Sequence, residues 1–319
     1  MDYAIFKLNF KTAVHLGEGG VLDSSLATFM ADTLFSALYI EALKLDDNEK
    51  LFDYVNNHKL CFSDAFPFKE NGETTSYYFP KPMIQVKRKE QKTGDSSEKK
   101  LVKKIKYLPS DQIDEFLKGN AKLEELSKQD FYVFHESTKV CRRTGGDLES
   151  QASSEPEPYR VGLCSFKDNC GLYVIVGFEN NEVYNFIKRI FESLQFSGIG
   201  GKRTIGYGRF SLDIDNKCSD IKELLTRDSS TYMSISISLP KNEELPSVIE
   251  EASYSLIRRS GFVQSKNYAE ESRRKFNKYL FSSGSCFKKK FEGSVLDVSS
   301  VKSSHPVYRY AIPMFIGVN

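Results

Sequence analysis

Ser197 to Phe210 reads S-G-I-G-G-K-R-T-I-G-Y-G-R-F, with five glycines between Gly198 and Gly208. Backbone without β-carbons can bring its N–H groups close to a ligand. Lys202, Arg203 and Arg209 add positive charge there, and Tyr207 adds a stacking face. The run fits a phosphate cradle or, equally, a mobile turn kept soluble by its charges. Just before it, Val183, Phe186, Ile187, Ile190, Phe191 and Leu194 recur at i, i+3, i+4, i+7, i+8 and i+11. That spacing predicts an amphipathic helix over Glu182 to Leu194. Just after it, Phe210, Leu212 and Ile214 alternate with Arg209, Ser211 and Asp213, which predicts a strand.

Outward from this helix–loop–strand unit, the period of two returns at residues 3 to 12. There Ala4, Phe6, Leu8 and Phe10 share one face, with Tyr3, Ile5, Lys7 and Asn9 on the other. A helix is expected from about Thr28 to Leu45 and a short one through Leu51, Phe52 and Val55. Strands are expected over 131 to 143, 159 to 167 and 171 to 178. The order is β-α-β-β-α-β, with a large insertion at about 61–130 whose tip, Thr93 to Glu98, reads as disordered. Leu148 to Pro158, polar and aperiodic, reads as a protruding hairpin tip. Thr226 to Ser230 reads as a linker to a second domain opened by Met233, Ile235, Ile237 and Leu239, so the expected domains are 1–225 and 226–319. The fold class expected is α+β.

The 319 residues suffice for two domains and a sizeable core. No apolar run is long enough for a membrane span, and the first ten residues read as a strand, not a signal peptide; no membrane and a cytoplasmic location are expected. The six cysteines form no Cys-x-x-Cys pair and the four histidines are dispersed, so no metal and no cofactor are expected. The net charge of +2 conceals segregation: Gln85 to Leu108 holds nine Lys/Arg against three acids, and Arg258 to Lys290 ten against two. These stretches carry +14 and the rest −12, as in a protein with a nucleic-acid face, although solvated lysine tracts produce part of such a pattern.

Among residues that could do chemistry, His15 stands between the first strand and first helix, where an imidazole could act as general base on a ribose hydroxyl. It has no evident partner in sequence, and no hydrolase, zinc-protease or P-loop pattern accompanies it. Binding residues are better supplied. Arg142 and Arg143 end a predicted strand before Thr144-Gly145-Gly146, and guanidinium groups suit phosphates and stack on bases. Arg258-Arg259-Ser260-Gly261-Phe262 and His305-Pro306-Val307-Tyr308-Arg309-Tyr310 add basic and aromatic clusters.

Taken together, His15-Leu16-Gly17, R-R-T-G before a protruding loop, and the glycine run after an amphipathic helix resemble the RAMP superfamily of CRISPR RNA-binding proteins. The P-K-P, K-K-I-K-Y-L-P, F-E-G-S-V and H-P-V-Y-R-Y elements resemble the family that caps the 5′ end of type III-A Csm effector complexes. The resemblance implies two ferredoxin-like, RRM-related domains in tandem, with the large insertion in the first. It implies a subunit that grips the repeat-derived 5′ tag of the crRNA, docks the large polymerase-like subunit and a neighbouring backbone RAMP subunit, and wedges a hairpin between guide and target RNA bases. By position, His15, Gly198, Gly200, Gly201, Lys202, Arg203, Thr204, Gly206, Tyr207, Gly208 and Arg259 would contact RNA. Arg142 and Arg143 would lie at the wedge base; the family often has Asp-Arg there, which leaves the role of Arg142 less defined than that of Arg143. No cutting is expected, the alternative being an endoribonuclease of CRISPR repeat RNA with His15 as base.

Overall fold

The computed structural model describes residues 1–18, 21–84, 96–141, 157–263, 274–300 and 304–318. Its first strand, β1 (Asp2–Phe10), leads to a short hairpin of β2 (Leu16–Glu18) and β3 (Val21–Leu26), then to helices α1 (Ala31–Lys44) and α2 (Asn48–Asn56). Next come β4 (Leu60–Phe62), β5 (Phe66–Asn71) and β6 (Thr74–Pro80), then α3 (Ser96–Lys104), β7 (Tyr107–Pro109), α4 (Ile113–Leu117) and α5 (Leu123–Leu126). A long hairpin, β8 (Tyr132–Cys141) and β9 (Glu157–Phe166), precedes β10 (Cys170–Phe178), α6 (Asn181–Ser197) and β11 (Phe210–Asp215).

The main sheet runs β11-β1-β10-β5-β6-β7, with β4 also on β10, and its pairings are antiparallel. β10 is buried along all nine residues, as befits a central strand of L-Y-V-I-V-G-F composition. Phe6 of β1 meets Phe191 of α6 at 4.7 Å between ring centroids, so the stripe expected on that helix is the face it buries. Asn180 caps α6, its side chain accepting from the Val183 N–H, and Gly198, with φ of 74°, ends it. The opposite face of the sheet is aromatic, with Tyr173 against Phe66, Tyr77 and Phe79. Lys7 belongs to that face and is buried, its ammonium 3.0 Å from Glu70 and 2.6 Å from Asp213.

Two expectations change here. The strand that pairs with β10 comes from residues 60–71, inside the stretch read as an insertion, because Phe66 and Phe68 bury against β10. These strands are short, and β5 carries Pro67, which weakens a period of two. The β8–β9 hairpin, read as middle strands of the sheet, instead forms a separate two-stranded ribbon, bridged at Cys164 to Val14 beyond β1. Ser96, placed at the tip, opens α3. Arg142, Arg143, residues 148–156 of the expected wedge tip and residues 93–95 lie outside the described residues.

After α7 (Ser219–Thr226), whose Ile221, Leu224 and Leu225 are buried, come β12 (Thr231–Ser234), α8 (Leu245–Ile249), β13 (Leu256–Arg259) and β14 (Lys278–Phe281). β15 (Cys286–Phe287), β16 (Ser294–Asp297), β17 (Tyr308–Ala311) and β18 (Phe315–Val318) complete the chain. They form a sheet β15-β12-β18 and the pairs β13-β14 and β16-β17. One hydrophobic core runs through both halves, joining Phe6 and Leu34 to Ile235, Tyr310 and Ile316. Two buried polar groups fasten the seam. The Asp64 carboxylate accepts from the N–H of Ala31 at 2.7 Å and of Ile237 at 2.9 Å, and the Tyr310 hydroxyl donates to the Phe62 carbonyl at 3.2 Å.

Candidate nucleic-acid interface

The glycine loop is a tightly packed turn. The N–H of Ile199 donates to Gly208 O, that of Gly201 to His15 O, and that of Gly208 to Ala13 O. A β-carbon at Gly208 would stand 2.0 Å from Ile199 O, and one at Gly200 2.5 Å from His15 O. Glycine at these two positions is therefore demanded by close backbone approach, and much of the loop's N–H capacity serves the protein itself. A cradle built from loop N–H groups would draw on those not taken up by these contacts.

His15 is 5% exposed and sits beneath this turn. Its Nδ1–H donates to the carbonyl of Gly162 in β9 at 2.7 Å, leaving Nε2 as the acceptor nitrogen. A β-carbon at Gly201 would lie 2.7 Å from its Cδ2. The imidazole thus ties the first strand's exit, the loop and the β8–β9 hairpin together.

Lys202 adopts a left-handed conformation, φ 56°, and opens a short 3₁₀ turn over Arg203–Ile205. Its ammonium lies 4.7 Å above the Tyr159 ring and 3.3 Å from that hydroxyl. Tyr207 is half-buried, with the Lys139 ammonium 5.4 Å from its ring centroid. Hydrogen bonds from Ser137 and then Lys139 hold its phenol below the usual range. One side of the loop therefore grips the hairpin through Lys202–Tyr159 and Tyr207–Lys139. These partners, Ser137, Lys139 and Tyr159, were not picked out from sequence; pairing across β8–β9 is what brings them to the loop. Thr204 and Ile205 are exposed at the tip, and Gly206, φ 95°, has open space where a β-carbon would be.

On the other side, Gly200, Gly201 and Arg203 line a cleft of about 250 Å³ with Gly17, Thr33 of α1 and Arg259 of β13. Arg203 also reaches Gly198 O at 3.5 Å. The structure thus brings His15, the loop and Arg259 to one place although Arg259 lies in the other half of the chain. Its guanidinium is not loose: it donates to Asp32 and to Thr33 Oγ1 at 2.9 Å. The Asp32 partner was missed in the sequence, where an acid in the first turn of a helix reads as a dipole contact. Among the described residues no helix is long and apolar enough to cross a membrane, and no cluster of His, Cys, Asp and Glu could hold a metal.

A family model for the RAMP superfamily matches residues 7–211, well over half the chain, and the protein is a member of that superfamily. A second model, the CRISPR Csm4 C-terminal domain, matches residues 227–318. CRISPR system Cms protein Csm4 of Mycobacterium tuberculosis (strain CDC 1551 / Oshkosh) is 34% identical over 320 residues, spanning 100% of this chain and 98% of the relative. The chain therefore belongs to the Csm4 family. Its fold is similar to that in the crystal structure of a Csm3-Csm4 subcomplex of the type III-A CRISPR-Cas interference complex, with TM-score 0.67, 17% identity and 100% of each chain covered. It is also similar to that in a Csm1-Csm4 cassette in complex with pppApA, with TM-score 0.59, 17% identity and coverage of 99% and 98%.

Proposed function

We propose that the chain is the subunit of a type III-A effector complex that caps the 5′ end of the crRNA, holding the repeat-derived tag without cutting it. The observation that carries this is the convergence of Lys202, Arg203, Tyr207 and Arg259 around one rigid loop at the foot of the β8–β9 hairpin. Cations there meet phosphates and the aromatic rings meet splayed bases, as single-stranded RNA recognition requires. The hairpin would reach target RNA near the guide start, with Arg142 and Arg143 at the base of its wedge. Solved relatives that pair Csm4 with Csm3 and with Csm1 support a backbone RAMP neighbour and the large polymerase-like subunit as partners; a cytoplasmic location belongs to the same reading.

The strand order β11-β1-β10-β4, with α1 and α6 as the two connecting helices, supports a ferredoxin-like reading of domain 1–225. The Csm4 C-terminal model over 227–318 supports a second domain at 226–319, read as its degenerate counterpart. A positioning role for His15 is supported by its burial and its bond to Gly162, which leave the imidazole little access to a ribose.

Measuring tag-RNA binding across a salt series tests the proposal. Replacing Lys202 and Arg203 with Ala should weaken binding and lower the salt slope by about 1.4, the counterion release of two single-strand phosphate contacts. An unchanged affinity and slope would remove the loop as the main contact. Site-specific cleavage of repeat RNA that disappears in His15→Ala would instead favour the nuclease.

A further inference from the structure

Within the basic stretch Gln85 to Leu108, α3 divides its residues by side. Lys99, Lys100, Lys103 and Lys104 are exposed along an arc of about 140° of the helix, while Val102 and Ile105 turn the other way, against the core. Lys106, just past the helix, is exposed as well, and Glu98 is the single acid of α3. A further cation lies beneath the last turn, where Lys81 Nζ donates to the Val102 carbonyl at 2.7 Å.

Helix stability does not account for this face. Lys103 and Lys104 suit the negative end of the helix dipole, but Lys99 and Lys100 lie outside the last turn. Lys99 with Lys103, and Lys100 with Lys104, stand four residues apart, where like charges destabilise a helix. None of the five exposed lysines has an ion pair among the described residues. The acids of the segment that follows are mostly paired elsewhere: Asp114 with Arg227, Glu115 with Lys118, Glu125 with Lys122 and Asp130 with Lys167, which leaves Asp111 and Glu124.

The exit of α3 is tied to the start of β8. Gln129 Oε1 accepts from the N–H of Lys106 and of Tyr107, each at 3.2 Å, and the Phe131 ring packs on Tyr107. The glycine loop meets the same hairpin further along, at Lys139 and Tyr159. From Tyr132 to Lys139 the strand covers about 24 Å, so the lysine face and the loop belong to opposite ends of the ribbon.

The exposed side of α3 offers flexible point charges and no aromatic or apolar anchor. That composition does not fit a protein interface or a helix inserted in a lipid surface, and it does fit phosphate groups in series. With no ring to stack on a base and no planar fork to read a base edge, the contact is independent of sequence. We propose that the α3 face is a second nucleic-acid contact, separate from the glycine loop, which holds the phosphate backbone of an RNA or DNA strand whatever its sequence. It does not depend on the tag-binding reading above.

The test is fluorescence anisotropy of the purified full chain with labelled oligo(U) and oligo(dT) over a salt series, in the Lys202→Ala, Arg203→Ala background so that the loop does not contribute. Both strands should bind at low salt. Lys99→Gln, Lys100→Gln, Lys103→Gln and Lys104→Gln combined, which keep helix propensity, should weaken that binding about tenfold or more and lower the salt slope by up to about 2.8, the counterion release of four single-strand phosphate contacts. With the loop unaltered, the same four changes should leave tag-RNA affinity where it was. Absence of binding to both homopolymers, or equal binding by the Gln variant, would overturn the proposal. An equal loss for tag RNA would make α3 part of the tag site and overturn it too, as would normal homopolymer binding by a Gln variant that fails to assemble with other subunits. Homopolymer binding through α3 in a chain that binds no tag RNA would remove the tag-binding reading and leave this one standing.

Discussion

Arg259 meets Asp32 through a two-pronged contact, Nε to Oδ2 at 2.9 Å and Nη2 to Oδ1 at 2.7 Å, between residues 227 apart in sequence. Arg309 reaches the same carboxylate at 3.2 Å. One acid in the first turn of α1 therefore anchors two arginines of the C-terminal half against the N-terminal sheet domain, beside the loop that the proposed function uses. Asp32→Asn would leave both guanidiniums without their counter-charge in a buried setting. The expected loss is about 3–5 kcal/mol of unfolding free energy, read by urea titration. A loss below 1 kcal/mol would mean that the cluster does not hold the halves together.

Gly208→Ala and Gly206→Ala separate packing from backbone strain. Both glycines have positive φ, 76° and 95°, but only at Gly208 would the new methyl strike backbone, at 2.0 Å from Ile199 O. Gly206→Ala should cost roughly 1–2 kcal/mol, the left-handed penalty alone. Gly208→Ala should cost at least twice that, or prevent folding. Equal melting temperatures for the two variants would contradict the loop geometry.

His15→Ala removes a buried ring and strands the Gly162 carbonyl that it now satisfies. A destabilisation of about 2–4 kcal/mol is expected, from the lost packing and the unpaired acceptor. RNA affinity should fall with it because the loop loses its prop. Amide exchange should report faster opening over 197–210 in the variant. Unchanged protection there would deny His15 its positioning role.

Asp64 predicts a pH dependence. Burial, only partly offset by the N–H groups of Ala31 and Ile237, pushes its carboxyl up to about 6. The folded state then holds a proton that the unfolded state releases near pH 4, so this group's contribution falls as pH rises from about 4 to 6. The difference is on the order of 3 kcal/mol. Asp64→Asn, which keeps the carbonyl acceptor, should flatten the fall. A parent and variant with parallel stability curves over pH 4–7 would count against it.

Local pattern carried the reading far. The α6 stripe, the alternation in β1 and β11, and the loop between helix and strand were legible because each depends on residues within one or two turns of one another. The sheet's partner for β10 was not legible: β4 is three residues long, and β5 buries Phe66, Pro67 and Phe68 in a row instead of alternating. Lys7 shows the same limit from another side. Alternation put it on a polar face, yet Glu70 and Asp213 close over it, and no local pattern announces acids that come from β5 and β11.

The sequence alone determined that a glycine-rich, basic turn would join an amphipathic helix to a strand, and which face of that helix would be buried. Tertiary structure alone decided that His15 would spend its Nδ1–H on Gly162, 147 residues away, and that Arg259 would be held by Asp32 across 227. It also decided that Gly200 and Gly208 of the loop would serve close backbone packing. The physical reason is range. Helix and strand periodicity follows from backbone geometry between near neighbours, whereas a buried histidine or arginine takes whichever partner the closed chain delivers.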